Sequence, residues 1–248
     1  LELLTGFSAT QIAVAVVATF GAAFIRGLTG FGFGILLVPI LALALTPVQA
    51  VLAINIMASL LFFTELRLIF RDAERSALTI SILVMIGTLP GLMLLAATPP
   101  DLARVLIALV ALSAFFAILL PQRQAHVPGP VTTGLTGLSA GILTGFAAMP
   151  GPPVVPYYVG RNIPRAVAKA SMIGVFGVSA ISGVGAGAMI GVLERQTLIL
   201  GIALFPLMML GNWIGALAFG KVSDRLWRSF VAIVLAAAAI AALVKLFD

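Results

Sequence analysis

Arg26 is the only charged residue between Glu2 and Glu65. An ionisable side chain inside a membrane-buried stretch marks a functional site by default, and a guanidinium can grip two oxygens of one oxyanion. Directly after it runs Gly27 to Pro39, GLTGFGFGILLVP, and the other half of the chain holds Gly145 to Pro156, GFAAMPGPPVVP. Both stretches are too broken by glycine and proline to be helix interiors. Helices that start at such breaks leave their first N–H groups unpaired, and their dipoles put partial positive charge there. Glycine lets a ligand approach the backbone. The chemistry this predicts is anion binding by backbone amides, completed by Arg26. A second reading of Arg26 stays open, in which its long side chain only reaches out to water.

The candidate substrate-binding residues follow from the two breaks. The first supplies Arg26, Gly27, Thr29, Gly30, Phe31, Gly32, Phe33 and Gly34, and the second Gly145, Phe146, Met149, Pro150, Gly151 and Pro152. Asn55, Ser171, Asn212 and Thr144, like Thr29, are polar residues on apolar segments, placed to complete the shell or to hydrogen-bond a neighbouring helix. Phe31, Phe33 and Phe146 flank the breaks as apolar wall or as ordinary packing. Tyr157 and Tyr158, close to Arg161, read as part of an interfacial aromatic belt.

The elements that position these residues must lie in a bilayer. Hydrophobic residues make up 62% of the chain and charged residues 9%, with mean hydropathy +1.23. A soluble domain carries roughly 25% charged residues, so this chain cannot cover a globule in water. It is read as an all-α polytopic protein of the inner, cytoplasmic membrane, with the lipid bilayer as its partner. The excess of 14 Lys+Arg over 8 Asp+Glu would suit nucleic acid in a soluble chain. Here the charges end apolar runs and set orientation, so no nucleic-acid partner is expected. Without cysteine there are no disulfides or thiolate sites, and no metal-ligand spacing or cofactor motif occurs. Gly137-Leu138-Ser139-Ala140-Gly141 matches a nucleophile elbow, but that elbow needs a strand-to-helix turn and a histidine partner. Its context is an apolar helix and the only histidine is His126, in a linker, so no enzyme is expected. Glu2 and the lack of Lys or Arg before Arg26 do not fit a secretory leader.

Apolar runs at 48–66, 77–97, 102–120, 170–193, 197–219 and 226–246 each suit one crossing of about 20 residues. Gln11–Leu45 and Val127–Gly160 hold about 35 residues each, too many for one crossing and too few for two. Each reads as a re-entrant hairpin of two short helices turning near mid-depth, where only protein or a water-filled cavity can cover the irregular backbone. Superposing the halves puts Gly34 on Gly151, Pro39 on Pro156, Pro47 on Pro164, and Gly87 and Gly91 on Gly211 and Gly215. The chain therefore divides at 126/127 into two repeats, 1–126 with hairpin 10–45 and 127–248 with hairpin 127–160. A hairpin plus three spans makes an odd number of crossings, so the second repeat is inverted. Charges agree. Arg67, Arg71 and Arg75 have only Arg195 as mates, whereas Arg161, Arg165 and Lys169 face an uncharged loop in the first half. Corresponding loops thus lie on opposite sides, with both termini outside.

Glu65, Asp72, Glu74, Asp101, Glu194 and Asp224 all fall at segment ends, so a carboxylate proton relay is not expected. The substrate gradient, a cation on backbone carbonyls, and protonation of the substrate remain as driving forces. Glycines four apart (137, 141, 145; 183, 187, 191; 87, 91; 211, 215) form smooth faces that pack helices within the chain or pair two chains as a homodimer.

A glycine-rich motif followed by proline in each half, carried by Gly27, Gly30, Gly32, Gly34 and Pro39, then Gly145, Gly151 and Pro156, resembles the TauE/SafE family of membrane transporters. The resemblance covers nearly the whole chain. It implies a secondary transporter for sulfite, for sulfonates such as sulfoacetate, or for a related small anion. An anion channel using the same hairpins as its filter is the alternative.

Overall fold

The computed structural model describes residues 6–29, 32–119, 128–159, 161–217 and 224–247, with side chains for all of these except 29, 117–119, 224–231 and 247. Gly30, Phe31 and His126 lie outside the described residues. Among those described there are ten helices and no strand. The first half holds α1 (Ala9–Thr29), α2 (Phe33–Ala44), α3 (Pro47–Asp72), α4 (Arg75–Ala97) and α5 (Pro100–Leu119). The second holds α6 (Pro130–Ala147), α7 (Gly151–Val159), α8 (Arg165–Met189), α9 (Arg195–Leu217) and α10 (Asp224–Phe247).

Helix starts follow local chemistry. Pro47 and Pro130 open α3 and α6, where a missing N–H costs nothing. Thr46 and Gln49 form a reciprocal capping box at the head of α3, with the Gln49 amide donating to the Thr46 hydroxyl at 3.2 Å. The breaks between α1 and α2 and between α6 and α7 fall at the glycine- and proline-rich motifs. Gly32 caps α2 with φ +92°, and Ala148 ends α6 with φ +49°, both left-handed.

The arms of these broken pairs are unequal, which corrects the expectation of two short helices turning at mid-depth. α1 has 21 residues and α6 has 18, against 12 in α2 and 9 in α7. No proline interrupts the apolar run before either break, so each first arm continues for about 27–31 Å. Among the described residues five helices (α1, α3, α4, α8 and α9) are long and apolar enough to cross a membrane. α1 was expected as half of a hairpin, whereas α5 and α10, expected as spans, include residues whose side chains are not described. Large apolar side chains such as Phe70, Met189 and Val131 lie on the outside, as lipid contact requires.

Glycine sets the packing. Gly27 lies against the backbone of Asn212, Gly215 and Ala216, and Gly145 lies against that of Thr88, Gly91 and Leu92. Gly215 rests on Phe24 as Gly91 rests on Ile142, and Gly211 on Phe20 as Gly87 on Leu138. The α1–α9 contact therefore repeats as the α6–α4 contact, residue for residue. A Cβ at Gly27 would stand 2.7 Å from the Ala216 amide nitrogen, so the backbones could not close. These glycine faces are occupied within one chain.

Contact order gives direction. Phe20 meets Gly211 and Phe24 meets Gly215, so α1 runs parallel to α9; Leu138 with Gly87 and Ile142 with Gly91 make α6 parallel to α4. α3 and α8 run the opposite way to one another, Leu52 beside Gly187, Asn55 beside Gly183, Phe62 beside Gly177 and Ile69 beside Gly174. Carbonyls at the end of α2 that the helix itself leaves without a donor are held from three other helices. Arg104 donates to Ala42 at 2.7 Å, Gln11 to Ala44 at 2.8 Å and Lys245 to Leu43 at 3.3 Å, and two of these donors are cations at the negative end of a helix dipole.

Tyr157 and Tyr158 do not face lipid, contrary to the belt expected of them. Both are buried. The Tyr158 hydroxyl is 2.9 Å from Ser76 Oγ and that of Tyr157 is 3.0 Å from Thr133 Oγ1. The Arg161 guanidinium lies 5.3 Å from the Tyr157 ring centre and pairs with Glu74. A cation over an aromatic face and a bonded hydroxyl favour the interior position.

Candidate functional site

The two breaks meet. A Cβ on Gly34 would stand 2.7 Å from the Ala148 carbonyl oxygen and 3.8 Å from Met149 Cγ, so the first turn of α2 touches the end of α6 through a glycine. Beside this contact is a cavity of about 570 Å³, within the usual size of a small-molecule site. One wall is the antiparallel pair α3 and α8. The other is formed by the two breaks, the end of α1, and α9 through Met208, Asn212 and Ala216.

Of the residues expected from sequence, ten line the cavity: Arg26, Gly27, Gly32, Phe33, Gly34, Asn55, Met149, Pro150, Gly151 and Asn212. Gly30 and Phe31 lie outside the described residues, and of Thr29 only the backbone is described. The remaining four are placed elsewhere. Gly145 is spent on the contact with α4. Phe146 is buried in the core below the break, and Pro152 stands half-buried in the first turn of α7 without lining the cavity. Ser171 is fully buried and its hydroxyl accepts the Glu74 backbone N–H at 3.0 Å, which ties α8 to the α3–α4 turn.

Arg26 does not extend into open water. Its side chain is 18% exposed, donates to Asn212 Oδ1 at 3.1 Å and lies 3.9 Å from a Glu65 carboxylate oxygen. The close approach of Gly27 to α9 brings these partners together. The head of α2 adds donors. The Leu36 amide bonds the Gly32 carbonyl at 3.1 Å, so the amides of Phe33, Gly34 and Ile35 have no acceptor within the helix. α7 offers fewer, because Pro152 and Pro153 have no N–H. Asn55 is 3% exposed, packs against Gly183, and its Nδ2 has no hydrogen-bond partner among the described residues. A buried donor of that kind calls for an acceptor.

Two charged lining residues were missed from sequence, Glu65 and Lys169. Glu65 is not the segment-end carboxylate that the sequence predicts, because α3 continues to Asp72 and leaves Glu65 inside the helix. A signal was present. Ile54, Ala58, Leu61 and Glu65 recur at helical spacing along one face of α3, and all four line the cavity. Lys169 is exposed at the cavity edge, near the start of α8.

Fold and site together define a multi-pass helical membrane protein with interrupted helices meeting at an internal, partly basic cavity. The model of the sulfite exporter TauE/SafE family matches residues 15–242. The chain belongs to this family of membrane transporters, whose members are not enzymes. Comparison with curated proteins and with solved structures found no match.

Proposed function

We propose that the protein is a secondary transporter that moves a small anion (sulfite, sulfoacetate or another sulfonate) across the cytoplasmic membrane by alternating access. The observation that carries this reading is the cavity at the meeting of the breaks, into which Arg26 and the amide-rich head of α2 both face. A sulfonate presents three acceptor oxygens. Arg26 offers paired N–H groups to it, the α2 amides offer helix-dipole charge, and Asn55 offers one unspent donor.

The halves are read as inverted repeats, each a broken helix pair of one long and one short arm plus three further helices. The antiparallel course of α3 and α8, corresponding helices of the two halves, supports this, as does the repeat of the α1–α9 contact in α6–α4. Parallel repeats would place α3 and α8 in the same direction. Arg26 stands about 25 Å along α1 from Ala9, toward the side that carries Arg67, Arg71, Arg75 and Lys169. By the positive-inside rule that side is cytoplasmic, so the cavity corresponds to an inward-facing state.

The test is ligand-dependent stability followed by flux. Purified protein is heated with sulfite, sulfoacetate, taurine or an aryl sulfonate, and the binding anion raises the Tm by mass action. Reconstituted protein then shows saturable exchange of that anion. Discrete single-channel currents, or no stabilisation by any of the four, would overturn the reading.

A further inference from the structure

Glu65 is the only carboxylate among the described cavity-lining residues. Its side chain is 27% exposed, and its one polar contact among the described residues is the ion pair with Arg26 at 3.9 Å. That distance balances charge but exceeds the ~2.7–2.9 Å of a charge-assisted hydrogen bond. Arg26 is held in place through Asn212, at 3.1 Å, rather than through Glu65. The guanidinium thus keeps N–H groups for a ligand, and Glu65 acts as a counter-ion that a ligand can replace.

The charges around Glu65 are few. α1 contributes Arg26 and α8 contributes Lys169, both on the cavity wall, with Arg165 one turn earlier on α8. α9 presents the neutral Asn212 and has Arg195 only at its far first residue. α2 and α6 carry no charged residue, α4 has Arg75 at its start, and α5 has Asp101 and Arg104 in its first turns. On α3 itself Arg67 is exposed and Arg71 pairs with Asp72. When an anion pairs with Arg26, two negative charges share one buried cation between largely apolar walls. A proton on Glu65 removes the conflict.

We propose that Glu65 is the coupling residue of the transport cycle and that a proton is the co-substrate. The inference rests on the transporter reading given above. In the empty site the Glu65 carboxylate neutralises Arg26. An arriving anion takes that place, and hydronium from the water-facing end of the cavity gives its proton to Glu65, leaving water and a neutral carboxylic acid. With Lys169 exposed to water at the edge in both states, the buried pair Arg26 and Glu65 sums to zero charge when empty; Arg26, a monovalent anion and protonated Glu65 also sum to zero when loaded. The cavity can therefore change its exposure in either state without carrying net charge through the bilayer, which is costly. Departure of the anion returns Arg26 to Glu65 and the proton to water.

The experiment uses the full chain in proteoliposomes with radiolabelled methanesulfonate, a monovalent sulfonate. Wild-type counterflow exchange first tests the transporter reading; if wild type does not exchange the probe, that reading of the site falls and the coupling scheme falls with it. With exchange in hand, an inward gradient of one pH unit should sustain about tenfold accumulation, as one proton per anion requires, and a pH dye should record that ratio. Glu65→Gln, which resembles the protonated state, should lose the accumulation driven by the pH gradient, whatever exchange rate it retains. Wild-type exchange that ignores the pH gradient would overturn the coupling scheme alone. So would Glu65→Gln protein that still accumulates the probe. If that variant does not fold, the proton-to-anion ratio of the wild type decides: one supports the scheme and zero refutes it.

Discussion

The two broken-helix pairs share a scaffold and differ in chemistry. Gly27 packs on α9 as Gly145 packs on α4, with matching backbone neighbours. Yet Arg26 and Asn212, which bond across the first contact, have as mates Thr144 and Thr88 in the second. Those two threonines are fully buried, and each hydroxyl bonds a carbonyl of its own helix at 2.7 Å (Thr144 to Ala140, Thr88 to Val84). The second arms diverge as well. α2 begins Phe33-Gly34-Ile35 with three amides to offer, and α7 begins Gly151-Pro152-Pro153 with two of its first three missing. Packing is repeated because backbone approach needs only glycine on both sides. The buried charge at the cavity stands on one side, on Arg26, while the second half contributes only the exposed Lys169; a second buried guanidinium there would add a costly charge.

The largest effect should come from breaking what the halves share. Gly27→Ala and Gly145→Ala each push a Cβ into facing backbone, and overpacking of that kind costs about 2–3 kcal/mol or more. Thermal unfolding in detergent should show both variants destabilised to a similar degree. A large loss at one position and none at the other would break the equivalence of the two contacts.

Next comes what they do not share. Arg26→Gln removes a charge-assisted contact worth ~1.5–3 kcal/mol, so anion affinity should fall by about 10- to 100-fold. Thr144→Val removes a hydroxyl already satisfied by its own helix and should leave anion affinity within about twofold. Ligand titration by thermal shift measures both. Equal losses from the two substitutions would mean that binding is as two-sided as the packing.

The smallest effect concerns the proline-poor and proline-rich helix heads. Pro153→Ala restores one amide donor in the first turn of α7. If α7 faces the anion as α2 does, affinity should rise by a factor of about 2–5, the ~0.3–1 kcal/mol of a helix-terminus interaction. Unchanged affinity would leave α2 as the only helix head that binds.

Much of this architecture is legible in the sequence alone. The breaks ahead of Phe33 and around Pro150 follow from glycine and proline, whose effects are local. The glycine faces at 87, 91, 211 and 215 announced close helix contacts, though not which helices would meet. The site was half legible. Arg26, Asn55 and Asn212 stood out as polar residues in apolar sequence, but Ser171 stood out equally and is spent on the Glu74 amide. Nothing local distinguishes a buried serine that ties two helices from one that meets a ligand. Glu65 reads as a segment end because the apolar run stops at its nearest charges, whereas the helix continues to Asp72.

From the amino-acid order alone came the bilayer as solvent, the helical class, the two interruptions and Arg26 as the one charge between Glu2 and Glu65, because hydropathy and backbone stereochemistry act over a few residues. Only the tertiary structure decided that Arg26 meets Asn212 and Glu65, that the second half supplies threonines in the matching contact, and that a cavity lies beside the meeting of the breaks. Those facts depend on which helices cross and in what direction, and the chain sets that by packing helices that are not neighbours in sequence.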